Sequence, residues 1–134
     1  MIKVIVAGNR DFDNGGIFEN AMTWLLPSDS DYAESIEIIS GGCTGADALA
    51  EIYAKEWDIP LKVFPADWKK YGKCAGPIRN EEMAKYASSD EDDGGMLIAF
   101  WDGKSRGTKN MIDMAFKYGL DVHVIMWKRE KIYE

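Results

Sequence analysis

Residues 36–50, IEIISGGCTGADALA, indicate a buried strand, a tight glycine turn and the first turns of a helix. The β-branched residues Ile36, Ile38 and Ile39 suit a strand that is covered on both faces. Apolar residues then recur with helical spacing at Ala46, Leu49, Ala50, Tyr53, Ala54 and Trp57. The change of period from strand to helix predicts a βα unit.

The glycines of this turn are candidate contacts for an anion. Gly41, Gly42 and Gly45 can adopt positive φ angles and let a ligand approach the backbone. The helix that follows would direct its unpaired N–H groups and the positive end of its dipole at that ligand. A tight turn without a ligand explains the same three glycines, so this motif alone leaves ligand binding open.

The alternation of strand and helix continues along the chain. Strands are predicted at residues 2–7, 36–40, 61–64, 96–100 and 122–127, and helices at about residues 17–26, 46–58, 76–87 and 107–118. The polar stretches 28–35 and 88–93 and the charged stretch 128–134 are predicted as two loops and a tail. This order predicts an α/β fold, a Rossmann-like three-layer sandwich with a mostly parallel five-stranded sheet.

The composition predicts a single domain spanning residues 1–134. The chain has 134 residues, 46% of them hydrophobic, which is enough to bury a sizeable core. No apolar run reaches the roughly 18 residues of a transmembrane helix and no signal peptide is recognisable, so a soluble cytoplasmic protein is expected. Cys43 and Cys74 are too few for a disulfide framework or a zinc motif, and no metal site is predicted.

The charge pattern favours a small anionic partner over nucleic acid or a membrane. The net charge of −7 weighs against nucleic-acid binding, which rests on a basic surface. Cations nevertheless fall in the predicted strand-to-helix connections, at Arg10, Lys69, Lys70, Lys73, Arg79, Lys104 and Arg106. These connections converge at the carboxyl edge of the sheet, where open α/β sheets bind ligands.

The sequence leaves the oligomeric state open. Two explanations, a homo-oligomeric face and core burial, fit three of the tryptophans equally well: Trp24, Trp57 and Trp127.

Several single residues admit both a binding and a structural role. Arg10 and Arg79 are the strongest ligand candidates because a guanidinium matches the geometry of phosphate, and a structural ion pair is the alternative. Asp47 either recognises a ribose hydroxyl or favours the helix dipole. Thr108 either binds phosphate or caps the last helix. The pair Asp67-Trp68 either clamps a base or closes its loop onto the core.

Five segments together resemble the YspA-type branch of the SLOG superfamily. They are AGNRDF at 7–12, GGCTGAD at 41–47, FPADW at 64–68, GPIRN at 76–80 and GT at 107–108. The resemblance implies a Rossmann-like domain that senses or sequesters a nucleotide-type ligand, such as ADP-ribose or an NAD derivative, in bacterial or phage conflict systems. No further cofactor is implied. The ligand-binding positions that it implies are Gly8, Asn9, Arg10, Gly41, Gly42, Gly45, Asp47, Arg79, Asn80, Gly107 and Thr108.

The same superfamily implies two alternative functions. One is a hydrolase of an N-glycosidic or phosphate bond, similar to the LOG phosphoribohydrolases, and the other is DNA binding, similar to DprA. In LOG enzymes a catalytic Glu closely follows the Gly-Thr pair, whereas here Thr108 is followed by Lys109-Asn110-Met111 and the first carboxylate is Asp113. The candidate catalytic carboxylates are therefore others in the predicted loops and helix starts: Asp47, Asp67, Glu81 and Glu82.

Overall fold

The described part of the chain forms a parallel sheet with helices on both faces. A computed structural model describes residues 1–26, 36–89 and 94–128. The strands are β1 (Ile2–Gly8), β2 (Ile36–Ser40), β3 (Leu61–Val63), β4 (Gly95–Trp101) and β5 (Asp121–Met126). The helices are α1 (Gly15–Leu25), α2 (Ala46–Glu56), α3 (Trp68–Tyr71), α4 (Ala75–Ala87) and α5 (Arg106–Lys117), with a 3₁₀ turn at Gly72–Cys74.

The strand order places β1 at the centre of the sheet. The order is β3-β2-β1-β4-β5 and every pairing is parallel, with Val4 of β1 opposite Ile38 of β2 and Met96 of β4. The chain therefore builds the sheet outward from β1 on one side and then crosses to the other side for β4. The predicted α/β class and the parallel five-stranded sheet are confirmed.

Side chains of the central strands alternate between two apolar cores. Val4 and Val6 pack on the face covered by α1 and α2, whereas Ile5 and Ala7 pack on the face covered by α4 and α5. This alternation follows from the period of two residues in a strand, and the unbroken apolar run of β1 is what burial on both faces requires.

Two of the three tryptophans predicted as core or oligomer residues lie outside the core. Trp127 is buried, but the side chains of Trp24 and Trp57 are 85% and 57% exposed. On α1 the buried side chains are Phe18 and Met22, and Trp24 lies roughly 200° around the helix from Met22. Trp57 is the C-cap residue that follows the last residue of α2, so its side chain is not part of the buried apolar stripe of that helix.

The long connection predicted between β3 and the next helix contains the short helix α3. Asp67 caps this helix, because its Oδ1 accepts a hydrogen bond from the backbone N–H of Lys70 at 3.1 Å. The next helix, α4, begins at Ala75, close to the predicted start. The predicted loops and tail at residues 28–35, 90–93 and 129–134 lie outside the described residues.

The described helices include none that is long and apolar enough to cross a lipid bilayer.

Gly45 brings the start of α2 against the loop that follows β1. Its φ of +77° lies in the left-handed region, and a Cβ at this position would collide with the carbonyl oxygen of Asn9. The hydroxyl of Thr44 donates to the carbonyl oxygen of Arg10 at 3.0 Å and ties the same two loops together. Glycine is therefore required here both by the backbone conformation and by the space.

We expect Gly45→Ala to lower the free energy of unfolding by about 3 kcal/mol or more, because a left-handed φ and a backbone collision both oppose the new methyl group. Gly119→Ala is the matched control: Gly119 also has a left-handed φ, +73°, but open space around it. Its cost should be about 1 kcal/mol, from the backbone conformation alone. Urea unfolding of both variants measures the difference, and equal losses would contradict the close packing at Gly45.

Candidate ligand-binding site

A cavity of about 300 Å³ opens at the carboxyl edge of the sheet. We call it the carboxyl-edge cavity; it lies between the end of β1 (Ala7, Gly8), the turn after β2 (Cys43), the start of α4 (Gly76, Pro77) and the start of α5 (Arg106, Gly107). The chain reverses its direction of travel across the sheet between β1 and β4. Such a switch point is where open α/β sheets form their ligand crevices.

The charged side chains that line the cavity are predominantly cationic. Among the described residues, Arg10, Lys73, Arg79 and Arg106 line it, together with one carboxylate, Asp47. The protein as a whole carries a net charge of −7. The cavity is therefore a local positive region on an acidic molecule, and it attracts small anions.

Two helices begin at the wall of the cavity. Gly76 and Pro77 belong to the first turn of α4, and Arg106 is the first residue of α5. The first turns of α4 and α5, both within the described residues, contain no acidic side chain. A cation at a helix N-terminus opposes the preference set by the dipole. A bound anion would interact favourably both with the positive end of the helix dipole and with the guanidinium group of Arg106.

Ser105, and not Thr108, caps α5. The Ser105 hydroxyl accepts from the backbone N–H of Thr108 at 3.4 Å, and the two hydroxyl oxygens lie 3.2 Å apart. Of the two roles considered for Thr108, the helix cap is therefore wrong, because the N-cap position lies three residues earlier. Thr108 is buried at the cavity wall, and Ser105 is a cavity residue that the sequence analysis missed.

Arg79 is buried and holds two elements of the site together. Its Nη1 donates to the carbonyl oxygen of Gly41 at 2.5 Å, and its Nε donates to Oδ1 of Asn80 at 3.0 Å. Both terminal nitrogens also lie 3.9 Å from the sulfur of Cys43. Arg79 therefore joins α4 to the turn after β2, in addition to lining the cavity.

The two asparagines among the predicted ligand contacts are engaged by the protein itself. Nδ2 of Asn80 donates to Oδ1 of Asn110 at 2.9 Å and to the carbonyl oxygen of Gly107 at 3.3 Å, which ties α4 to α5. Oδ1 of Asn9 accepts from the backbone N–H of Asp102 at 3.1 Å. Asn80 lines the cavity but Asn9 does not; Asn9 orders the loop after β4, and its contact with a ligand stays a prediction.

The glycines predicted as ligand contacts separate into two groups. Gly8 and Gly107 line the cavity, whereas Gly41, Gly42 and Gly45 do not. A Cβ on Gly41 would lie 2.6 Å from Nη1 of Arg79, so this glycine makes room for the guanidinium. Gly41 thus shapes the site by accommodating Arg79, and direct contact of the three turn glycines with a ligand stays a prediction.

Asp47 alone of the four predicted catalytic carboxylates lines the cavity. Its Oδ2 accepts from the backbone N–H of Cys43 at 3.1 Å. Burial of the side chain raises the pKa of Asp47 to about 6, and the hydrogen bond from Cys43 and the charge of Arg79 only partly offset this effect. A carboxyl with this pKa exchanges its proton near neutral pH, which suits it to proton transfer as well as to hydrogen bonding.

The other three carboxylates are directed elsewhere. Asp67 caps α3, and Glu81 forms ion pairs with Lys117 at 2.9 Å and Lys85 at 3.8 Å, which lower the pKa of Glu81. Glu82 is exposed, and none of the three lines the cavity. Helix capping accounts for Asp67 and surface ion pairs account for Glu81; a catalytic role for any of the three stays a prediction that the cavity lining does not support.

Apolar side chains complete the cavity wall. Met83 of α4 and Met111 of α5 are both buried in the core between these helices and the sheet, and both also line the cavity. The helical stripe predicts burial of Met111, but no pattern in the sequence indicates that these core residues face a cavity. The wall therefore combines cations with an apolar patch, as is usual for sites that bind organic anions.

Comparison with known proteins identifies a family model that matches the chain and a phage protein that is similar to it. A family model described as "YspA, cpYpsA-related SLOG family" matches residues 2–71, which include β1, the turn after β2 and α3. The "Gene 61 protein" of Mycobacterium phage D29 is 30% identical over 127 residues, which cover 91% of this chain and 94% of that protein. No solved structure matches the chain significantly.

We expect the pKa of Asp47 to make the stability of the protein depend on pH. Because the folded-state pKa is about 6 and the ordinary value is 3.8, the folded state binds the proton more tightly than the unfolded state. The stabilisation is therefore present at low pH and is lost as the pH rises through 6. Between about pH 4 and pH 7, the wild type should lose about 2 kcal/mol relative to Asp47→Asn. Parallel pH profiles of the two proteins in urea unfolding would contradict this prediction.

Proposed function

Because the chain belongs to the YspA, cpYpsA-related SLOG family, we propose that it binds a nucleotide or nucleotide-derived small molecule in the carboxyl-edge cavity. Membership of this family associates the chain with nucleotide-related ligands, and the name of the phage relative states no ligand. The proposed ligand class is a ribose phosphate joined to a base or to a second nucleotide, such as ADP-ribose or another NAD derivative. The protein would sense or sequester it.

The observation that carries this proposal is the charge of the cavity. Four cationic side chains from different parts of the chain surround it among the described residues, and the helices α4 and α5 begin there. A phosphate bound beside Arg10 and Arg106 would pair with both guanidinium groups and with the positive end of α5. The first turns of α4 and α5 contain no acidic residue that would compete with an anion for these cations.

The position and acceptor capacity of Asp47 support the proposal that a ribose binds near the turn after β2. Its carboxylate accepts backbone hydrogen bonds from the turn after β2, and the two oxygens of a carboxylate together retain acceptor capacity for a hydroxyl group. The cavity volume of about 300 Å³ is at the lower end of the range for small-molecule sites. A nucleotide would therefore fill the cavity with its phosphate and sugar and extend toward its open mouth.

Hydrolysis of the same ligand is a second candidate function, favoured by the pKa of Asp47. In cleavage of an N-glycosidic bond, a water molecule adds its hydroxide to C1′ while the base leaves with a proton. Asp47 lies at the cavity wall with its pKa raised to about 6, so it could take the proton from water near neutral pH. The products would be a free base and a ribose phosphate.

Removal of one cavity cation tests the proposed binding. We expect Arg106→Ala to weaken the binding of AMP or ADP-ribose by about tenfold or more, because it removes a charged hydrogen-bond donor. Lys104→Ala is the control, since Lys104 is exposed two residues away and does not line the cavity. Calorimetric titration with AMP, ADP-ribose, NAD and cyclic ADP-ribose gives the affinities. Absence of heat with all four compounds would reject the proposed function.

Chromatography of the titrated samples separates binding from hydrolysis. If the protein is a sensor or a sink, each ligand is recovered intact after incubation. If it is a hydrolase, a base or ribose phosphate appears, and Asp47→Asn should reduce its rate of formation at least about a hundredfold, the usual contribution of a general base. Product formed equally fast by Asp47→Asn would exclude Asp47 as the catalytic group.

A further inference from the structure

Trp68 presents a large aromatic surface at the carboxyl-edge cavity. The residue begins α3, its side chain lines the cavity, and it is 51% exposed. The alternative that it closes its loop onto the core is not what the structure contains, because Trp68 belongs to neither of the buried apolar clusters. The indole therefore borders the cavity with about half of its surface in water.

The backbone around Trp68 holds the ring over the start of α4. Asp67 caps α3 at one end, and Gly72 ends it with a left-handed φ of +56°. The ring atom Cη2 would lie 3.6 Å from a Cβ on Gly76, so the indole packs beside the first turn of α4. Gly76 carries no side chain and itself lines the cavity, which leaves the ring accessible at the mouth.

A comparison with Tyr71 on the same helix singles out Trp68. The ammonium group of Lys70 lies 5.0 Å from the centre of the Tyr71 ring, and Tyr71 does not line the cavity. Among the described residues, no ring or cation stacks on the indole of Trp68. Trp68 is therefore the aromatic residue of α3 whose face is open to a ligand.

The cavity has two chemically different parts. The guanidinium groups of Arg10 and Arg106 come from the connections after β1 and β4, whereas Trp68 comes from the connection after β3, which also supplies the cation Lys73. Cations attract the phosphate of a ligand, and an indole offers a flat apolar surface on which a planar heterocycle stacks. A ligand that carries a negative charge at one end and an aromatic ring at the other would interact with both the cations and the indole.

We infer that Trp68 determines specificity by stacking on an aromatic base of the ligand, so that the cavity selects base-bearing nucleotides over sugar phosphates that lack a base. This inference rests on the proposed function, because it assumes a phosphate-bearing ligand in the same cavity. It goes further by assigning the base to the α3 side and the phosphate to the α5 side. Base–aromatic stacking in other proteins changes affinity by about tenfold per base.

The experiment compares AMP with ribose 5-phosphate as probes by calorimetric titration. Trp68→Ala should weaken AMP binding about tenfold and leave the affinity for ribose 5-phosphate within about twofold of the wild type. Trp68→Phe keeps an aromatic ring and should recover most of the AMP affinity. Trp24→Ala is the matched control, since Trp24 is 85% exposed on α1 and does not line the cavity. It should bind both probes as the wild type does.

Tryptophan fluorescence provides a second measurement. AMP should change the emission of the wild type and of Trp24→Ala, and this change should be absent from Trp68→Phe even where AMP binds. Equal loss of AMP and ribose 5-phosphate binding in Trp68→Ala, or no loss of either, would overturn the stacking role while leaving the proposed function intact. If the wild type binds neither these probes nor the dinucleotides, the proposed function fails and the stacking role fails with it.

Discussion

The hydrogen bond from Arg79 to the carbonyl oxygen of Gly41 is the contact on which the candidate site depends. A guanidinium that is about nine-tenths buried is stable only when its donors are paired, and Arg79 finds partners in Gly41 and Asn80. Gly41 permits this because any Cβ there would lie within 2.6 Å of the guanidinium. The contact fixes α4 against the turn that starts α2, and that turn gives Asp47 its hydrogen bond from Cys43.

The electrostatics of the site result from opposing effects on a few groups. Burial favours the neutral form of Asp47, whereas Arg79 and the N–H of Cys43 favour its anion, and burial is the larger effect. An ionised Asp47 repels a bound phosphate, while Arg10 and Arg106 attract it from the cavity wall. In the proposed complex, a phosphate would therefore gain most beside Arg10 and Arg106, and Asp47 would be left for the uncharged hydroxyl groups of a sugar.

The sequence predicts the strands and the longer helices well, but it predicts poorly which side chains form hydrogen bonds with one another. Periodicity locates the strands because β1, β2 and β4 are buried on both faces, and the glycine and arginine residues mark the edge where the cavity lies. Helix α3 has only four residues, which is too short to show a helical period. The hydrogen bonds that engage Glu81 with Lys117 and Asn80 with Asn110 join residues 36 and 30 positions apart, and no local pattern indicates them.

The residues after the Gly-Thr pair bear on the choice between binding and hydrolysis. Asn110 accepts a hydrogen bond from Asn80, and Lys109 pairs with Asp113 at 3.0 Å on the exposed surface. The start of α5 is thus used to bind α4, and it supplies no carboxylate to the cavity. Asp47 remains as the carboxylate lining the cavity among the described residues. Glycosidic hydrolysis commonly divides the acid and base roles between two carboxylates, so in the proposed hydrolysis Asp47 would have to serve in both roles, whereas the proposed binding needs no second carboxylate.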